Sequence, residues 1–140
     1  MLEINAPPTV RVGGWLAVLC FLLVVWEPIS LGLVVSNGLS TLAIRGVPAF
    51  AMFAVRIAVT AFGLAAGYSL IRGLGAAVAM AKTALFLSAG VDLIVYTTSF
   101  LPSNRMPGDT PFYIAASLTY HTVWIIYLYR SRRVREMFGD

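Results

Sequence analysis

Four residues carry most of the chemistry this sequence can offer: Glu27, Arg56, Asp92 and His121. Glu27 is the single charge in WLAVLCFLLVVWEPISLGLVV, and Arg56 is the single charge in FAMFAVRIAVTAFGLAAGYSLI. Asp92 interrupts a third apolar run and His121 a fourth. A guanidinium has five donors in a planar fork and can bridge two carboxylates. Glu27, Arg56 and Asp92 together would carry one excess negative charge if all were ionised. A lone histidine can bond a neighbouring helix, relay a proton or ligate a metal. With no second histidine and no cysteine nearby, neither a metal nor a haem site is expected within one chain, although two copies of His121 could meet across a symmetric dimer. No nucleophile or cofactor-binding motif accompanies these groups, so neither catalysis nor a bound cofactor is expected.

The elements that position these residues follow from composition. Hydrophobic residues make up 59% of the 140-residue chain and charged residues only 11%. Soluble domains carry about a quarter charged residues, and a chain this short buries only part of its apolar surface. Lipid is the solvent that tolerates such a composition. Apolar runs over about 15–35, 50–71, 78–100 and 112–129 each match a hydrocarbon core of about 30 Å at a helical rise of about 1.5 Å per residue. The runs lack the alternation of barrel strands, so helices are expected. Ser36, Asn37 and Gly38 favour a turn after the first run, and Arg72-Gly73-Leu74-Gly75 favours a tight connection after the second. The stretch 101–111, with three prolines and a glycine, cannot be helical throughout. The sequence therefore predicts an all-α, polytopic membrane protein: one membrane domain over 1–140, built as a four-transmembrane-helix bundle with a basic amphipathic tail over 130–140.

Charge orients the bundle. Of ten Lys and Arg residues, Arg11, Arg72, Lys82, Arg130, Arg132, Arg133 and Arg135 fall on the side shared by both termini. Arg45 and Arg105 fall on the other. The positive-inside rule then places the N- and C-termini in the cytoplasm, with Trp15 and Tyr129 near that interface. The tail RSRRVREMFGD sets Val134, Met137 and Phe138 on one face amid Arg132, Arg133 and Arg135, which together with Arg130 suits an anionic headgroup layer. Nucleic acid is not an expected partner, because a basic membrane flank explains the same residues. Cys20, the only cysteine, cannot form an intramolecular disulfide. The segment preceding the first run lacks signal-peptide character, so that run is expected to stay as an anchor.

Counted from the cytoplasmic ends at the helical rise, Glu27, Arg56 and Asp92 lie at about 18, 22 and 21 Å, in the outer half of the bilayer. Charges in hydrocarbon cost about 2.5–3.5 kcal/mol on insertion scales and usually face one another or a wet cavity. The three are thus read as an intramembrane charge cluster, either holding helix register or forming an ion pathway or polar pocket. His121, at about 12 Å by the same count, is not obviously at that level. Pro28 removes a backbone bond inside the first helix and frees a carbonyl near Val24, which gives either a structural kink or, with Glu27, a polar site. Gly63 and Gly67 form a small-xxx-small pair for close packing within the bundle.

Two stretches carry a family resemblance. Val12-Gly13-Gly14-Trp15-Leu16 opens the first helix, and Tyr129-Arg130-Ser131-Arg132-Arg133-Val134-Arg135-Glu136-Met137-Phe138 closes the chain's apolar part. Together they resemble a bacterial family of small four-helix inner-membrane proteins known as domain of unknown function 2569. That family tends to begin with Gly-Gly-Trp-Leu and end with a Ser-x-Arg-Val-x-x-Thr-Phe-like tail, with Met137 standing here where Thr is usual. The resemblance implies a multi-pass protein of the bacterial inner membrane and no particular activity. The expected function is that of a non-catalytic accessory, scaffold or assembly subunit, with the lipid bilayer and other membrane subunits or further copies of itself as partners. The alternative is a small oligomeric transporter or channel that uses the Glu27, Arg56 and Asp92 cluster.

Overall fold

A computed structural model describes residues 12–99 and 106–139, with Thr41 described by its backbone alone. Arg11, Phe100, Arg105, Asp140 and the first part of the 101–111 connection lie outside the described residues. Within them the chain is helical, without strands. Helix α1 (Trp15–Phe21) passes through a π-helical turn, Leu22–Trp26, into α2 (Glu27–Arg45). Then come α3 (Val47–Arg72), α4 (Ala77–Thr97), α5 (Thr110–Arg130) and the short α6 (Arg132–Phe138).

The first helix runs ten residues beyond the end that the sequence suggested. Ser36 Oγ and Asn37 Nδ2 each donate to the Leu33 carbonyl at 2.9 Å. Their polar groups are therefore satisfied against the helix's own backbone, and the turn they favour is not taken. The helix stops instead at Gly46, whose φ of 70° is cheap only for glycine. Helix α3 starts at the next residue with Pro48 in its first turn, where a missing N–H costs nothing. At its other end the Leu74 N–H bonds the Ser69 carbonyl and Gly73 N–H the Leu70 carbonyl, with Gly73 left-handed at φ 68°, so the last carbonyls are capped. Helix α4 ends at Thr97, short of the expected 100, as Thr98 turns extended with its hydroxyl on the Ile94 carbonyl at 2.6 Å.

A π turn immediately precedes Pro28. The Glu27 N–H reaches back five residues to the Leu22 carbonyl, and this wider turn just before the proline absorbs the ring's demand for space. Helix α3 packs against α1, the π turn and α2 on one side and against α4 on the other, and α4 packs against α5. Trp15 meets Trp124 of α5 at 6.2 Å between ring centroids.

Buried side chains form two clusters. The larger, at the end where the described termini meet, joins Leu16, Leu19, Leu23, Leu70, Leu85 and Leu128 with Val134 of α6. The smaller, toward the opposite end, is built on Met52, Phe53 and Val91. Large apolar side chains such as Leu33, Phe50, Ile57, Phe86 and Val123 face outward instead, as lipid-facing residues do. Three helical stretches, Trp15–Ser40, Val47–Arg72 and Ala77–Thr97, are long and apolar enough to cross a membrane. Helix α5 has 21 residues and thus the length, but its Thr, Tyr and His residues lower its apolarity.

The tail also packs on the bundle. Val134 has 0% exposure and belongs to the larger cluster, with Met137 and Phe138 packed against it. Its apolar face is covered by the bundle itself. Arg130, Arg132, Arg133 and Arg135 stay exposed, and Arg133 lies across Gly13 and Gly14, where an added Cβ would sit 3.2 and 3.3 Å from its guanidinium nitrogens. The two stretches that carry the family resemblance are therefore neighbours in the fold.

Candidate intramembrane site

Between the two clusters lies a cavity of about 240 Å³, walled by all four long helical segments. It is polar enough and roomy enough to hold water. Trp26, Glu27 and Ser30 come from the first helix, Arg56 and Thr60 from α3, Ser88, Asp92 and Tyr96 from α4, and Ser117, Tyr120 and His121 from α5.

The structure brings the sequence-derived charges together, with unequal partners. Arg56 Nη1 sits 3.2 Å from Asp92 Oδ1, an ion pair whose side chains are 18% and 19% exposed. Ser117 Oγ donates to Asp92 Oδ2 at 2.8 Å. Glu27 is not bridged by the guanidinium; its Oε1 accepts from Ser88 Oγ at 3.2 Å, while its charge remains within coulombic reach of Arg56, Asp92 and His121. The arginine therefore serves one carboxylate by contact and the other only through the field.

His121 also lines this cavity, beside the three charges. Side chains on a helix lean toward its N-terminus, and the imidazole leans back one turn to place Nδ1 2.8 Å from the Ser117 carbonyl and 3.3 Å from Ser117 Oγ. A carbonyl can only accept, so Nδ1 carries the hydrogen, and Nε2 is the ring nitrogen left to the cavity. Asp92, Ser117 and His121 thus form one chain of polar contacts. Tyr120 stands edge-on to the imidazole at 5.0 Å. Pro28 acts here through its neighbours Trp26, Glu27 and Ser30, which the π turn presents to the cavity.

Gly63 and Gly67 lie where α3 crosses the π turn. A Cβ on Gly67 would sit 2.7 Å from Val24 Cγ2 and 3.1 Å from Leu23 Cβ, and one on Gly63 would sit 3.9 Å from Glu27 Oε2. The close approach they permit sets how near Arg56 and Glu27 can come.

Ser88, Ser117, Thr60 and Ser30 escaped notice in the sequence. Their signal is spacing: each lies three or four residues from an ionisable residue on its own helix, pairing 27 with 30, 56 with 60, 88 with 92 and 117 with 121. That interval keeps both on one helix face. Among the described residues, no three of His, Cys, Asp and Glu converge as a metal-ligand set would. No family model matches this chain, and neither a curated protein nor a solved structure matches it.

Proposed function

We propose that this chain is a four-span membrane protein with both termini cytoplasmic, and that it is a small transporter or channel, working as an oligomer, with the Glu27, Arg56, Asp92 and His121 cavity as its site. The observation that carries this reading is the position of Glu27. A bundle that needed only register would be served by the Arg56–Asp92 pair. Glu27 adds a second carboxylate to the same cavity with a serine hydroxyl as its bonded partner, a costly group to keep in hydrocarbon without use. Support for a fourth span comes from α5, which supplies Ser117, Tyr120 and His121 to the cavity. Orientation is supported by the basic residues Arg72, Lys82, Arg130, Arg132, Arg133 and Arg135 at the terminal end.

In proteoliposomes under an imposed inside-negative potential, proton and sodium uptake should exceed that of empty vesicles and fall at least tenfold in Glu27→Gln. Uptake equal to that of empty vesicles, or unchanged in the variant, would refute the reading. Topology is tested in a Cys20→Ala background. A cysteine at Met106 should react with an impermeant maleimide on intact cells, and one at Glu136 only after permeabilisation.

A second reading is an accessory or assembly subunit of a larger complex; the resemblance to domain of unknown function 2569 implies a bacterial inner membrane as its place and no particular activity. It is favoured by the Arg56–Asp92–Ser117–His121 chain, whose contacts are made within the bundle. Recovery of the protein with no other chain, in mild detergent at native expression, would count against it.

A further inference from the structure

The walls of the cavity name a ligand class that its charges alone do not. Trp26, Tyr96, Tyr113 and Tyr120 line it together with Glu27 and His121. The Tyr96 and Tyr113 rings lie 6.0 Å apart, tilted by 41°, and join α4 to α5 at one side of the cavity. Aromatic rings carry negative potential on their faces and attract cations there, most strongly out of bulk water. Among the described residues, Arg56 supplies the one guanidinium that lines the cavity, held by Asp92 at 3.2 Å, and Glu27 is the lining carboxylate without an ion pair. His121, only 4% exposed, has Nδ1 committed to Ser117, and in the neutral ring Nε2 accepts a hydrogen bond. A carboxylate, an imidazole acceptor and several ring faces make an acceptor-rich lining. An anion would meet Glu27 and the rings, and a neutral solute would leave the carboxylate uncompensated.

We propose that this cavity binds a small protonated organic amine, with its N–H groups on Glu27 and His121 Nε2 and its carbon skeleton against Trp26, Tyr96, Tyr113 and Tyr120. The assignment rests on the reading of the cavity as a solute site and adds the class of solute. Size sets a limit: about 240 Å³ lies below the roughly 300–1,000 Å³ of sites for drug-sized ligands. A single-ring or short-chain amine is the scale that fits. Such a cation needs both parts of the lining. The carboxylate replaces lost hydration at the N–H groups, and the rings cover the carbons while favouring the charge.

The test is calorimetric titration of the full chain in lipid nanodiscs with benzylamine, benzyl alcohol and benzoate, with tryptophan fluorescence, compared between the unaltered chain and Trp26→Leu, as a second readout. Benzylamine should bind one site per chain at least tenfold more tightly than its neutral isostere, and benzoate should bind more weakly still. Glu27→Gln should lower benzylamine affinity at least tenfold while leaving benzyl alcohol within about twofold, and Trp26→Leu should lower it severalfold. Equal affinity for amine and alcohol, or preference for benzoate, would overturn the assignment on the unaltered protein, whether or not the variants fold. Ion uptake without amine binding would overturn the amine and leave transport standing. Amine binding without any uptake would do the reverse.

Discussion

Replacing Asp92 by Asn tests how the bundle tolerates charge at its centre. The variant keeps the shape of the side chain but removes the countercharge 3.2 Å from Arg56 and the anionic acceptor of Ser117. At an effective dielectric constant of about 20, two unit charges at this distance attract by roughly 5 kcal/mol, before desolvation is subtracted. Removing one partner of a buried pair typically costs about 3–5 kcal/mol, because the other charge is left stranded. Both side chains retain nearly a fifth of their exposure, so the pair is not fully buried and the expected loss lies toward the lower bound, about 3 kcal/mol. Arg56→Met should cost a similar amount, and the Arg56→Met/Asp92→Asn double variant much less than the sum, with a coupling of about 2 kcal/mol or more. Reversible unfolding in mixed lipid–detergent micelles against SDS, followed by tryptophan fluorescence, reads all four corners of the cycle. Additivity within about 0.5 kcal/mol would show that the two residues do not act as a pair.

Gly67→Ala should destabilise the bundle by about 1–3 kcal/mol through overpacking against Val24, and Val24→Ala in the same chain should restore part of the loss, as read by the same unfolding assay. Ser117→Ala removes the hydroxyl that donates to Asp92 and should cost about 1 kcal/mol, with the His121 Nδ1 proton resonance retained because its main acceptor is the backbone carbonyl. Val134→Ala should loosen α6 by about 2 kcal/mol and speed tryptic cleavage after Arg130 and Arg132 severalfold, with no change in helix content elsewhere. Cleavage at the wild-type rate would place the tail's hold elsewhere than at this valine.

Much of the fold was legible because a membrane helix is written in a single variable. Runs of apolar residues about 20 long leave few options once every backbone group must bond within its own segment. The ends were less legible. Ser36, Asn37 and Gly38 form a turn signal by residue type, yet a helix can absorb the first two by bonding their side chains to Leu33, and only the chain's freedom to continue decides. Arg56 and Asp92 could be placed at one depth by counting, because rise per residue is fixed. Their pairing could not, since depth says nothing of rotation.

The sequence by itself determined that the chain is helical and apolar, that Glu27, Arg56 and Asp92 sit near one level, and that Gly63 and Gly67 mark a packing face. Local forces suffice for these: backbone hydrogen bonding, hydropathy and a fixed helical rise. The tertiary structure alone decided that Glu27 bonds Ser88 and leaves Arg56 to Asp92, that His121 joins the same cavity through Ser117, and that the tail buries Val134 in the core. Each depends on how helices rotate about and tilt against one another. That is settled by packing between segments distant in sequence, such as Gly67 against Val24, where short-range preferences carry no information.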